Sequence, residues 1–246
     1  MKNSLRVATF NIQHGAKGDY GRGYPELVAA ACVELQADII GLQEVDRGVS
    51  RSQKADLAKL AAEATGMDYH FAKARTFRGR GEYGNALLVR GEIRGLEVIK
   101  LKGDRHKVTV LGHTFKPVPE PRNAILATAV VEGHEISVGN THTGGDVRKQ
   151  QLGIAAAAFV TRPKPQLFMG DFNVRWPEAH KCMQPYGLEV LNGARSDLNW
   201  NPKSQVDMIA VNGLRCISMR TQYMGLSDHL ALIAELEIWH GDDSSE

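Results

Sequence analysis

A chain of 246 residues is long enough for one substantial core, and 43% hydrophobic with 24% charged residues is an ordinary globular balance. A formal net charge of only +2 argues against a general nucleic-acid coat protein, but the charge is uneven: without Asp242, Asp243 and Glu246 the rest of the chain rises to about +5. No apolar run approaches the roughly 18–20 residues of a membrane span, and the opening MKNSLRVATFNI lacks the apolar stretch of a secretory leader.

RVATFNI opens the chain as a strand, and YPELVAAACVELQ follows as a helix with apolar residues at helical spacing. DIIGLQ is the next strand. QKADLAKLAAEATG reads as a helix closed by Gly66. Then come the strands NALLVR, GLEVIKL, AILATAVV and EISVGNT, the last two joined through EGH as a hairpin. DVRKQQLGIAAAAFVTR is a third helix, with Asp146 as its cap and Pro163 and Pro165 stopping it. QLFMGD, VDMIAV and LALIAEL complete the strands. Strands therefore outnumber helices by about three to one, which does not fit a simple alternating βα barrel. The pattern predicts two packed sheets with helices on their outer faces, in one domain over 1–240 with an acidic tail at 241–246. Cys32, Cys182 and Cys216 are scattered and in no metal-ligand spacing, so reduced thiols and a cytoplasmic protein are expected. Basic residues gather in ARTFRGRG (Arg75, Arg78, Arg80) and from KGDRHK to Arg122, which suits an anionic substrate.

The strand ends carry the chemistry. In MGDFNV, Asp171 and Asn173 are two apart, and alternation along a strand would point both at one place. RVATFNI ends on Asn11, DIIGLQ is followed by Glu44, EISVGNT by His142, VDMIAV holds Asp207, and LALIAEL is preceded by Asp228 and His229. One polar residue at a strand end is a turn or a cap. Six strands each carrying a carboxylate, amide or imidazole there form a set suited to cation binding, proton transfer and oxyanion stabilisation.

The ordered series TFNIQHG, IIGLQEVD, YGNALLVR, NTHT, LFMGDFNV, QVDMIAV and LSDHLAL resembles the endonuclease/exonuclease/phosphatase superfamily, the fold of deoxyribonuclease I and exonuclease III. The resemblance implies a four-layer α/β sandwich, two packed mixed sheets flanked by helices, with the site at one sheet edge. It implies a Mg²⁺-dependent phosphoesterase (Mn²⁺ being the other candidate ion) acting through an activated water. Glu44 resembles the principal metal ligand, Asn11 the amide beside the metal, and Asp228 a residue at a second metal position. Asp171 resembles the aspartate that activates water, and Asn173 and His142 resemble the amide and the donor that contact the phosphate. His229 resembles the essential histidine, with Asp207 holding its ring; the His–Asp pair is the other candidate base. Arg122 and Asn85 are implied as substrate contacts. The substrate is then either DNA or RNA, or a small or lipid-linked phosphoester, with no obligate protein partner. From another class, a catalytically silent phosphate-binding module would be expected to lack Glu44, Asp171 or His229, and all three are present.

Overall fold

The computed structural model describes residues 4–18, 21–77, 81–103, 108–110, 113–115, 120–193 and 205–238. Arg78, Arg80 and the acidic tail lie outside the described residues. In chain order the elements are β1 (Ser4–Asn11), α1 (Pro25–Leu35), β2 (Ile39–Arg47), α2 (Leu57–Thr65), β3 (Asp68–Thr76), β4 (Glu82–Val89) and β5 (Glu92–Leu101). They continue with β6 (Val108–Val110), β7 (His113–Phe115), β8 (Arg122–Val131), β9 (His134–His142), α3 (Arg148–Phe159) and β10 (Gln166–Asp171). The last are α4 (Trp176–Met183), β11 (Glu189–Val190), β12 (Asp207–Asn212), β13 (Leu214–Gln222) and β14 (Ala231–Ile238).

Two six-stranded sheets form, in the orders β13-β14-β1-β2-β4-β3 and β11-β12-β10-β9-β8-β5. Both are mixed: β1 runs parallel to β2 and β9 parallel to β10, while the remaining pairs are antiparallel. Alternation along the strands sorts their side chains into three cores. Leu5, Val7, Ile39, Leu87 and Val89 of the first sheet meet Ile125, Ile136, Val138, Leu167, Met169 and Ile209 of the second. The opposite face of the first sheet, with Ala8, Phe10, Ile40 and Leu42, is covered by Val28 and Cys32 of α1 and Leu57 and Ala61 of α2. The outer face of the second sheet packs Phe168 and Met208 against Leu152 and Phe159 of α3 and Ala179 and Met183 of α4. The result is the expected four-layer sandwich.

Local chemistry sets several boundaries. Asp56 caps α2 by accepting from the Lys59 N–H at 3.1 Å, and Gly66 closes the helix in the left-handed region, as expected. The β8–β9 hairpin turns on Glu132 and Gly133, both with positive φ, the arrangement of a type I′ turn. For α3 the expectation is corrected: the cap position is Val147, which has no side-chain oxygen, and Asp146 stands one residue outside it. Six elements are absent from the sequence reading: β3, the short strands β6, β7 and β11, β13, and α4. β3 and β13 are edge strands, half exposed and without a clean alternation, and α4 is only 8 residues long. Among the described residues no helix is long and apolar enough to cross a membrane.

Candidate active site

The parity that builds the inter-sheet core also builds the site. On β10, Leu167 and Met169 face the other sheet, and so does Asp171 two residues on. On β9, Ile136 and Val138 lead to Asn140 and then His142. On β12, Ile209 and Val211 share their face with Asp207. The register then sets His142 and Asp207 on either side of Asp171, each its Cα partner across the sheet. On β1, Leu5 and Val7 lead the same way to Asn11. All four strands thus deliver a polar side chain to one edge of the sandwich. Gly170 is needed just there. Its φ is +143°, and a Cβ on it would lie 1.9 Å from the Thr141 carbonyl oxygen.

Glu44 arrives by a different route. Alternation would send it, like Ile40 and Leu42, into the apolar layer beneath the helices. Instead β2 carries an irregularity between Leu42 and Val45, and Glu44 has a φ of +59°. The extra residue lets Val45 return to the core while Glu44 turns to the strand-end site.

Asn11 is the hinge of the hydrogen bonding. Its Nδ2 donates to Glu44 Oε1 and to Asp171 Oδ2, both at 3.1 Å, and its Oδ1 accepts from the Gln13 backbone N–H at 3.0 Å. A backbone donor on one side and two carboxylates on the other fix the amide's orientation. Asn11 therefore turns its nitrogen, not its oxygen, towards Glu44 and holds that carboxylate in place.

Asp171 Oδ2 also lies 3.3 Å from His142 Nε2 and 3.9 Å from His229 Nε2, while Oδ1 accepts from the Asn173 N–H at 2.9 Å. Burial, then the charge of Asp207, push this carboxyl up to about 7, against the pull of His229 and the hydrogen bonds of Asn11 and Asn173. His229 Nδ1 sits 2.7 Å from Asp207 Oδ2. Burial opposes a charge on this ring, but Asp207 and Asp171 outweigh it and lift His229 to about 11. The imidazole is thus a cation with a donor facing each carboxylate. His142 is the opposite case. Arg122 Nη1 lies 2.9 Å from its Nδ1, and a guanidinium only donates, so Nδ1 accepts and Nε2 carries the proton towards Asp171. Burial and the charges of Arg122 and His229 push His142 well below the usual imidazole range, which keeps it neutral.

Asn173 does not reach the site by strand alternation. β10 ends at Asp171, and Asn173 has a φ of +49° in the turn beyond it. Its Nδ2 donates to the Thr143 carbonyl at 2.8 Å and lies 3.1 Å from His142 Nε2. Convergence of Asp171 and Asn173 comes from this tight turn, closed by the bond from the Asn173 N–H to Asp171. Asp228 is half-buried, and its charge acts on both Glu44 and His229. Asn85 is spent elsewhere: its Nδ2 donates to Asn123 Oδ1 at 2.8 Å and to the Asn123 carbonyl at 3.1 Å, bracing the two sheets beneath the site.

The structure adds residues that the sequence did not announce. Tyr83 is buried beside Arg122 within hydrogen-bond reach, and burial together with the Glu44 charge holds its phenol well above the usual range. A tyrosine starting a strand gives no signal of its own. Ser227 Oγ donates to the Asn11 carbonyl at 2.6 Å and accepts from the His229 N–H at 3.1 Å, tying the SDH segment to β1.

For a divalent cation, the donor chemistry fits. Glu44 receives its only side-chain hydrogen bond from Asn11 among the described residues. Burial raises its pKa against the Asn11 hydrogen bond and the charges of Arg122 and His229, and the charge of Asp228 adds a smaller push upward. Carboxylate oxygens crowded in this way are what Mg²⁺ takes. Asp171, Asp207 and His229 also place ligand atoms within 4.8 Å of one another. There, however, the His229–Asp207 hydrogen bond competes with any ion.

Fold and site together define a four-layer α/β protein whose strand ends converge on a carboxylate–imidazole centre. The chain belongs to the Endonuclease/Exonuclease/phosphatase family, whose sequence profile matches residues 8–229, and which is a family of hydrolases of phosphoester bonds. Among solved structures it is similar to an endonuclease/exonuclease/phosphatase from Beutenbergia cavernae, at 16% identity and TM-score 0.71, covering 97% of this chain and 72% of that one. It is also similar to TDP2 from Caenorhabditis elegans, at 17% identity and TM-score 0.65, over 95% of this chain and 74% of that one. A third likeness is to the mannosyl-6-phosphatase Bt3783 of Bacteroides thetaiotaomicron, at 17% identity and TM-score 0.65, over 94% and 99% of the two chains. No curated protein sequence matches the chain.

Proposed function

We propose that the chain is a metal-dependent phosphoesterase that hydrolyses a phosphodiester or phosphomonoester by direct attack of water. The observation that carries this reading is the placement of Asp171, whose Oδ2 is shared among Asn11, His142 and His229. Asp171 takes the proton of the attacking water. His229 is not the base in this reading, because both of its nitrogens face carboxylates and are donors. It remains a cation that steadies the phosphoryl oxygens, with Asp207 holding its ring. Asn173 donates to the phosphate, His142 turns its one N–H, on Nε2, from Asp171 to a phosphate oxygen when substrate binds, and Arg122 positions His142 and meets the substrate's charge. Glu44, oriented by Asn11 and with Asp228 nearby, would hold Mg²⁺ or Mn²⁺, which supplies charge neutralisation of the phosphoryl group. Asn85 acts through the sheets as a positioning residue.

A net charge of +2 supports a small or lipid-linked phosphoester over a long nucleic acid, and the three unbridged cysteines support a cytoplasmic setting. The test is a Mg²⁺ panel of plasmid and abasic DNA, RNA, bis-p-nitrophenyl phosphate, sugar and inositol phosphates, and phospholipids. Cleavage of one class is expected, abolished by EDTA and reduced by about 10²–10⁴-fold in Asp171→Asn, the usual worth of a general base. Nucleic-acid cleavage falling steeply with salt would move the substrate to DNA or RNA. Silence across the panel would favour a phosphate-binding module, and full activity in Asp171→Asn would remove the central residue of the mechanism.

A further inference from the structure

Two residues beyond Glu44, β2 carries a second carboxylate, and its bonds set it apart from the first. Asp46 is fully buried, and both of its oxygens are engaged. Arg51 donates from Nη2 to Oδ1 at 2.9 Å and from Nε to Oδ2 at 2.8 Å, a bidentate pair, and Ser52 Oγ donates to Oδ2 at 2.6 Å. Arg51 is itself held in place, its guanidinium carbon 4.9 Å from the ring centre of Phe77 and 5.7 Å from that of Tyr83. A carboxylate bound in this way is committed to the protein and not offered to an ion.

The short turn that supplies these donors, Ser50–Ser52, also meets the loop that follows β1. The Gly23 N–H donates to the Arg51 carbonyl at 2.8 Å, and Ser52 Oγ stands 3.3 Å from the His14 carbonyl oxygen. The approach is so close that a Cβ on Gly23 would lie 2.2 Å from that carbonyl oxygen. Asp46 therefore joins the segment beyond Glu44 to the segment beyond Asn11, whose amide holds the Glu44 carboxylate.

The kink in β2 needs such a joint. Pairing with β4 is irregular between Leu42 and Val45, then resumes with Val45 opposite Gly84 and Asp46 opposite Tyr83. Glu44 lies inside the irregularity with a φ of +59°, and a strained residue persists only where its surroundings over-determine it. Relaxing the kink means shifting the strand beyond it. A shift at Asp46 would part a buried carboxylate from its guanidinium, which is strongly unfavourable.

We propose that Asp46, Arg51 and Ser52 are positioning residues for Glu44: they hold the kink and so set how tightly the site takes a divalent cation. The proposal rests on Glu44 as the ligand of that cation, and the two can fail separately.

The test is Mn²⁺ binding to the metal-free full chain by calorimetry, with urea unfolding of the same samples. Affinity is expected to fall about three- to tenfold in Arg51→Lys, which keeps the charge and loses the fork, and about threefold in Ser52→Ala. Partners bonded directly to a metal ligand commonly cost roughly 10–100-fold, and these residues act one step further away. Ser52→Ala leaves the ion pair intact, so its arm stands even where Arg51→Lys folds poorly. Leu152→Ala, which trims the core under α3, is the control: it lowers urea stability and keeps Mn²⁺ affinity within about twofold of the parent. Affinities within about twofold of the parent in both Arg51→Lys and Ser52→Ala, or an equal fall in Leu152→Ala, overturn the proposal and leave the cluster a purely structural role. Mn²⁺ that does not bind the parent, or that still binds Glu44→Gln, removes Glu44 as the ligand and the proposal with it.

Discussion

Glu44 shows what a single residue costs and does in this protein. Its φ of +59° places a side-chain-bearing residue in the left-handed region, where strain of order 1–3 kcal/mol is stored. Burial of its carboxylate adds a second penalty, visible in its raised pKa. Both penalties disappear in Glu44→Gly. That variant is therefore expected to unfold at a higher temperature than the parent in metal-free buffer, while losing phosphoester cleavage. A lower melting temperature would mean that the kink is held by contacts of the Glu44 side chain, and not by the surrounding strand. Asn11 carries a related lesson. The identity of its atoms is set by neighbours 33 and 160 positions away, and its role as an orienting amide follows from those neighbours.

At the scale of elements, the two sheets are joined by more than apolar contact. Asn140 of β9 accepts from Gln43 Nε2 at 2.7 Å and donates to the carbonyls of Leu42 and Ala86 at 3.1 and 2.8 Å. Gly41 makes the space, since a Cβ there would stand 2.9 Å from the Asn140 side chain. This clasp lies one residue from Glu44 on β2 and two from His142 on β9, so it sets the distance between the two halves of the site. Asn140→Ala takes this donor from two buried carbonyls, at about 1–3 kcal/mol for each, while the Gln43 amide keeps Thr9 Oγ1 and the Gly41 carbonyl as acceptors. A loss of at least about 2 kcal/mol in urea unfolding is expected, together with a fall in kcat. Stability within about 0.5 kcal/mol of the parent would show that water replaces the clasp.

For the whole molecule, the inter-sheet core draws residues from β1 and β2 near the N-terminus and from β12 and β14 near the C-terminus. Neither sheet can bury its inner face alone. The chain is thus expected to unfold as one domain over 1–240, with coincident urea transitions by far-ultraviolet circular dichroism and by tryptophan fluorescence. Two separated transitions would divide the chain into independent halves and overturn the single-domain expectation.

Residue types and their parity along each strand are local properties, and they were readable in advance. Local pattern places Asn11, His142, Asp171 and Asp207 at or near strand ends, stops α2 at Gly66, and implies two packed sheets with helices outside. It did not determine how those strand ends face one another. The kink at Glu44, the turn that carries Asn173, the orientation of the Asn11 amide, the neutral state of His142 and the arrival of Tyr83 each depend on partners from other strands. β3, β13 and α4 escaped notice for a related reason: edge strands and a short surface helix bury too little on one face to impose a period. The charge states of Asp171 and His229 belong wholly to the tertiary structure, because only there do burial and neighbouring charges act on the same atoms.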